Sequence, residues 1–306
     1  MRSPGASSSS PGARLIDPKV LARLADLELV ARTVVEGFIN GMHRSPYLGL
    51  SLDFAEHRAY MPGDDIRRID WRLFARTDRF YVKEFEADSN ADFIAVVDVS
   101  RSMGFGTGEV TKLDYARCLA ASLAYFAHKQ RDRVGLVTFD EDVVDFVPPS
   151  AKHLDAVLHS LDRARPGGRG ELARPFAKVA EAVRRRGILV LVSDLYEEPQ
   201  RVVEAMRSLG RQGSDLIVFH VLDPAEVHFP FQESAGYEDV ETGERLPVVP
   251  EQVREEYRRL VAEHIATLSR VLGKDRIDYV QIETSTPLDG ALFAYFSRRE
   301  RLVRRR

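Results

Sequence analysis

Four short apolar runs recur along the chain: DFIAVVDVS at 92–100, RVGLVTF at 133–139, GILVLVSD at 187–194 and DLIVFHVLD at 215–223. Each is separated from the next by at least one segment with helical spacing. A strand that is apolar at successive positions has both faces to bury, which requires helices above and below its sheet. The pattern excludes a half-solvated antiparallel sheet and predicts an α/β fold with a doubly wound, mainly parallel sheet. The run DVVDFV, just after RVGLVTF, reads as its hairpin partner, hence one antiparallel edge strand.

The helical segments expected between the strands are Lys112 to about Gln130, Ala151–Arg163, Glu171–Arg186, Glu198–Leu209 and Pro250–Leu272. A polar, hairpin-like insertion carries Glu241-Thr242-Gly243-Glu244 at its tip. Strand RIDYVQIE and a helix after Pro287 close the domain. Upstream, residues 1–14 are rich in Ser, Pro and Gly with no apolar signal core, and read as a disordered tail. Asp17-Pro18 starts a helix with the stripe Leu21, Leu24, Leu27, Val30 and Val34, ending near Gly37–Gly41. From there to Asp92 the periodicity fades. The organisation expected is therefore a tail (1–14), a helix with an irregular segment (15–91), the α/β domain (92–300) and a basic tail (301–306).

Composition sets limits on function. Of the 306 residues, 44 are Lys or Arg and 47 Asp or Glu, giving a formal charge of -3, so nucleic acid is not an expected partner. No apolar run approaches the ~20 residues of a membrane span, so no membrane anchor is expected and any membrane association runs through a partner. The lone Cys118 can form neither an internal disulfide nor a thiolate cluster, which favours a reducing, cytoplasmic setting. Seven lysines stand against 37 arginines. The guanidinium fork pairs bidentately with carboxylates.

In open sheets of this kind ligands bind beyond the carboxyl ends of the strands. Asp98 ends one strand in Asp98-Val99-Ser100-Arg101-Ser102, and Asp194 ends another after Ser193. Both strands should run the same way and bring the two carboxylates to one edge, with serine hydroxyls alongside. Such oxygen donors suit a hard cation such as Mg²⁺. The plainer reading is a set of Asx and serine turns capping the strand end.

The Asp98-Xaa-Ser100-Xaa-Ser102 run with the later Asp194 resembles the metal-ion-dependent adhesion site of von Willebrand factor A domains. The segment Tyr60-Met61-Pro62-Gly63-Asp64-Asp65-Ile66-Arg67-Arg68-Ile69-Asp70-Trp71, continuing to Ala75-Arg76, is similar to the signature of the bacterial family called "domain of unknown function 58", in which it precedes a von Willebrand-A-like fold. The resemblance covers about residues 40–300. It implies a non-enzymatic, cytosolic protein-binding module that partners a MoxR-type AAA+ ATPase in assembly or maturation of a client protein. It also implies a Mg²⁺ ion held by Asp98, Ser100, Ser102 and Asp194, with a partner carboxylate at the open position.

One element of that pattern is missing. The loop Gly167-Gly168-Arg169-Gly170-Glu171 places Gly170 where the adhesion site has a threonine. Arg169 beside it either enters the crevice and replaces the ion, or points to solvent while Glu171 supplies an oxygen; two unit charges ~4 Å apart at an effective dielectric near 20 interact by roughly 4 kcal/mol. Around Trp71, the residues Asp64, Asp65 and Asp70 alternate with Arg67, Arg68, Arg72 and Arg76. These form either an internal ion network or a docking surface for the ATPase.

Other signals are weaker. GFGTG at 104–108 matches no phosphate-cradling pattern and reads as a flexible loop. No histidine has ligand spacing and no nucleophile elbow is present. A metal-assisted phosphoesterase using Asp98 and Asp194 is the alternative reading. The terminal run from Arg298 to Arg306 favours the helix dipole as a solvated helix end.

Overall fold

The computed structural model describes residues 26–43, 56–61, 69, 71–84, 91–183, 185–211, 213–238 and 243–303. The described residues separate into two units, one holding residues 36–84 and a larger one holding 26–35 and 91–303. The Asp17-Pro18 helix start, and residues Asp64, Asp65, Arg67 and Asp70, lie outside the described residues.

Helix α1, Leu27–His43, begins where the Asp26 carboxylate accepts the amides of Glu28 and Leu29 at 2.9 and 3.1 Å. A carboxylate in this place is a helix cap; the part of the expected helix before Asp26 lies outside the described residues. At its other end the helix passes through Gly37 and Gly41 to His43, beyond the expected stop.

In the smaller unit β1 (Glu56–Ala59) pairs antiparallel with β2 (Tyr81–Glu84), and the short helix α2 (Trp71–Thr77) lies between them in sequence. Its aromatic residues hold each other. Phe74 stacks on Phe80 at 4.4 Å, and Trp71 meets both edge-on at 6.1 and 6.5 Å.

The larger unit carries the six-stranded sheet. Its elements in chain order are β3 (Asp92–Asp98), α3 (Lys112–Lys129), β4 (Arg133–Phe139), β5 (Val143–Ser150), α4 (Leu154–Arg163), α5 (Ala173–Ala182), β6 (Gly187–Ser193), α6 (Pro199–Gly210), β7 (Asp215–Leu222) and α7 (Pro224–His228). The hairpin β8 (Ala235–Glu238) and β9 (Arg245–Val248), the long helix α8 (Pro250–Lys274), β10 (Asp278–Glu283) and α9 (Leu288–Val303) complete it. Helix α9 includes the first three residues of the segment read as a basic tail.

The sheet order is β10-β7-β6-β3-β4-β5, with every neighbour parallel except β5 against β4. Counting only these strands along the chain, the order is that of a doubly wound fold, with its third strand reversed by the hairpin. The expected mainly parallel sheet with one antiparallel edge strand is what forms. Every residue of β3 and β6 is buried. Because side chains alternate across a strand, Phe93 faces Tyr295 of α9 at 6.1 Å, while Ile94 and Val96 join Phe139, Phe176, Val202, Met206 and Leu268 on the other side. The edge strand β5 is exposed along much of its length and carries, just before its last residue, Pro148 and Pro149, which lack the amide hydrogens that another chain needs for pairing. Among the described residues no helix is long and apolar enough to cross a membrane.

Phe176 is fully buried and meets Phe139 edge-on at 5.2 Å. Phe176→Ala should lower the unfolding free energy by about 3–5 kcal/mol in urea titrations, against less than about 0.5 kcal/mol for Val144→Ala on the exposed edge. Equal small effects would mean that this face of the sheet is not the core.

Candidate functional site

From β3 the chain turns to β4 on one side, and from β6 to β7 on the other, so the crevice beyond the carboxyl ends of these adjacent strands is the switch point where such folds bind ligands. Asp98 is the last residue of β3 and Asp194 follows the last residue of β6. The two ends are joined directly, since the Ser193 hydroxyl donates to Asp98 Oδ2 at 2.6 Å. Asp98 Oδ1 accepts the Ser100 amide at 2.8 Å. Burial and the neighbouring Asp194 charge push the Asp98 carboxyl up to about 7, against the pull of its serine hydrogen bonds.

Beyond Asp98 a tight 3-10 turn, Arg101–Gly104, brings the Ser100 and Ser102 hydroxyls to 3.2 Å from each other. The Gly167-Gly168 loop closes over this turn. Gly167 donates to the Val99 carbonyl, Arg101 donates to the Gly168 carbonyl, and Gly168 donates to Asp140 Oδ2 at 2.8 Å. A Cβ on Gly167 would stand 2.7 Å from that same oxygen, so the close approach requires glycine. Gly170 follows with its missing side chain aimed at Ser100. A Cβ there would lie 3.4 Å from the Ser100 hydroxyl.

The cation of the crevice is Lys112. It occupies the first position of α3, after Thr111, whose hydroxyl caps the helix in a reciprocal box with Asp114. The Lys112 side chain has 0% exposure; its Nζ donates to Asp194 Oδ2 at 2.8 Å and to Glu226 Oε1 at 2.6 Å. The rings of Tyr196 and Phe105 cover it, at 4.7 and 5.7 Å. Burial alone would depress the ammonium, but the two carboxylates more than offset it and hold Lys112 above the ordinary lysine value.

Glu226 is itself fixed, because its other oxygen accepts the Asp223 amide at 2.8 Å in the capping box of α7. Asp223 reaches on to the loop before α3, accepting the Thr107 amide at 3.0 Å and the Thr107 hydroxyl at 2.6 Å. The GFGTG loop is therefore tethered at Thr107, where the sequence reading had a flexible loop.

The turn carrying Asp194 is held from below. Leu195 has φ 47°, a left-handed conformation costly for a leucine, and is fixed by the Ser193 hydroxyl on its amide and by His264 Nε2 donating to its carbonyl at 2.9 Å. His220 Nε2 donates to the Asp194 carbonyl at 2.7 Å, so its Nδ1 accepts from the Tyr279 hydroxyl at 2.6 Å. Burial holds this neutral imidazole down at about 4.

The structure thus brings Asp98, Ser100, Ser102 and Asp194 to one crevice. Arg169 is exposed, so the place considered for its guanidinium falls to Lys112; Glu171 is exposed as well. Trp71 and exposed Arg76 belong to the smaller unit. Sequence reasoning passed over Lys112 and Glu226. The signals were there: Lys112 lies in helical register with Ala116, Leu119 and Leu123, on the buried face, and Asp223-Pro224-Ala225-Glu226 is a capping-box pattern. For Mg²⁺ the donor set is incomplete. Asp194 is bonded to an ammonium, Gly170 offers no hydroxyl, and among the described residues no three His, Cys, Asp or Glu side chains converge as metal ligands.

The profile of the family described as "Protein of unknown function DUF58" matches residues 56–267. The "Uncharacterized protein Rv1480" of Mycobacterium tuberculosis is 30% identical over 262 residues, spanning 84% of this chain and 82% of that one. Among solved structures, an aerotolerance-related membrane protein from Bacteroides fragilis is 17% identical, with 66% of this chain and 96% of that chain covered and a TM-score of 0.47. The SpRpn10 VWA domain is 13% identical, with 66% and 93% covered and a TM-score of 0.36.

Two buried groups give opposite pH slopes. Asp98 is raised from 3.8 to about 7, so its contribution to stability is complete below pH 3.8 and is lost as pH rises through 7. His220 is lowered from 6.5 to about 4, so its contribution is complete above pH 6.5 and is lost as pH falls through 4. In urea titrations across this window, Asp98→Asn should gain stability with rising pH relative to wild type, and His220→Gln should lose it. Parallel profiles for all three proteins would contradict these assignments.

Proposed function

The chain belongs to the family described as protein of unknown function DUF58, and from that premise we propose that it is a non-enzymatic protein-interaction module docking through the aromatic face around Trp71. The observation that carries this reading is exposure. Trp71 is 58% exposed and Met61 59%, and Phe80 is exposed beside Trp71, within a chain segment dense in arginine and aspartate. Large apolar side chains left in water mark a protein contact, and tryptophan is among the residues that dominate such contacts energetically.

The finer assignment rests on the resemblance of the Tyr60–Arg76 segment. The docked partner is a MoxR-type AAA+ ATPase, and the pair acts on a client protein in its assembly or maturation. The reading does not need a divalent ion. In an adhesion site the ion links the domain to a partner carboxylate, whereas here the crevice cation is already shared between Asp194 and Glu226. Nor does the crevice favour a phosphoesterase. Asp98 and Asp194 are engaged by Ser193 and Lys112, and the imidazole bonded to the Asp194 carbonyl has both ring nitrogens engaged.

The test is capture of the MoxR-type ATPase encoded in the same genome by the purified chain. Trp71→Ala should weaken capture by about thirtyfold, the roughly 2 kcal/mol of a buried interface tryptophan, with circular dichroism unchanged. Asp98→Asn should leave capture intact. Capture retained by Trp71→Ala and lost in Asp98→Asn would move the interface to the crevice and overturn this reading.

A further inference from the structure

We infer that the Lys112 ammonium stands in, from within the chain, for the divalent ion that the Asp98-Xaa-Ser100-Xaa-Ser102 pattern implies, so that the crevice is built to work without a metal.

Three observations carry this. The first is the state of Asp194, the carboxylate expected on the far side of the ion. Its Oδ2 accepts from Lys112 Nζ at 2.8 Å, and that ammonium is locked by Glu226 at 2.6 Å and by the Tyr196 and Phe105 rings. The lysine is wholly buried, its backbone amide bonds to the Phe105 carbonyl at 2.9 Å, and it begins a capped helix. It has neither slack nor solvent into which to withdraw, so an entering dication would meet a fixed positive charge on the oxygen that should help to hold it.

The second observation is Gly170. A Cβ at this position would make ordinary contact with Ser100, 3.4 Å from its hydroxyl, so space for a side chain exists and the threonine oxygen is absent for another reason than crowding. The third is how the remaining donors are spent. The Ser100 and Ser102 hydroxyls bond to each other, and the two Asp98 oxygens accept from Ser100 and Ser193. The Ser100, Ser102 and Asp98 oxygens of the implied shell, and Asp194 Oδ2, thus have partners from the chain itself. An ammonium with its three protons satisfies carboxylates as an ion does, but it offers no open coordination position to a partner's carboxylate. The inference stands apart from the Trp71 surface and holds whatever partner docks there.

The experiment is a calorimetric titration of Mn²⁺ and of Mg²⁺ into the full chain at neutral pH, with Mn²⁺ also followed by its electron paramagnetic resonance signal. Wild type and Lys112→Arg should show no saturable binding into the millimolar range. Lys112→Met, which frees Asp194 and Glu226, should bind Mn²⁺ at least about tenfold more tightly than wild type, and adding Asp98→Asn should abolish the gain. Should Lys112→Met fail to fold, Lys112→Gln, neutral and able to hydrogen-bond, is read in its place. Saturable binding by wild type that Asp98→Asn removes would overturn the inference. So would a folded, neutral variant at 112 with no gain in affinity.

Discussion

A buried ammonium shared by two carboxylates, Lys112 between Asp194 and Glu226, is the constraint around which this crevice is arranged. Placing a cation at the first position of a helix opposes the helix dipole, and removing it from water is costly for an isolated charge. Neither penalty is tolerable unless the partners arrive in fixed geometry. Each is therefore immobilised: Glu226 by the capping box of α7, Asp194 by a left-handed turn tied to His220 and His264. One side chain thereby ties α3, the end of β6 and α7 together across the switch point. Buried pairs of this kind add little net stability over a well-packed apolar substitute, and what they supply is position.

That position has a consequence for function. In a doubly wound sheet the switch point is open by topology, and what fills it decides whether the crevice is a docking point or a sealed junction. Here it is filled from inside. Thr107 binds Asp223, Gly168 binds Asp140 and Lys112 takes Asp194, so the loops at the carboxyl edge are fastened to one another. Recognition through a metal-bridged carboxylate has no vacancy there. The exposed apolar residues Trp71, Met61 and Phe80 lie in another unit of the chain, the first two within the segment that carries the family's signature.

The sheet was legible because its central strands are buried on both faces, and an unbroken apolar run such as FIAVV admits few alternatives. Asp98 and Asp194 were legible too, since a strand end and parallel direction are enough to place them. Lys112 was harder. In a linear reading a lysine at a helix start belongs to the solvated face, and only its register with Ala116, Leu119 and Leu123 places it inward. Arg169 was the more conspicuous cation because it borders the expected threonine position, yet nothing local to a glycine-rich loop determines whether a long side chain turns inward. The cap at Asp26 was obscured by a stripe whose apolar period carries across it in the sequence. Of the alternating acids and arginines, Arg72 and Arg76 fall among the described residues, on the helix whose Trp71 packs on Phe74 and Phe80.

The central claim is that the three charges act as one unit, and a mutant cycle measures this directly by urea unfolding. Lys112→Met alone, which leaves two carboxylates buried without their cation, should cost about 3–5 kcal/mol. Combining it with Asp194→Asn and Glu226→Gln should recover most of that loss, leaving a coupling energy above about 2 kcal/mol. Costs that simply add, to within about 0.5 kcal/mol, would show three independent surface-like charges and contradict the account.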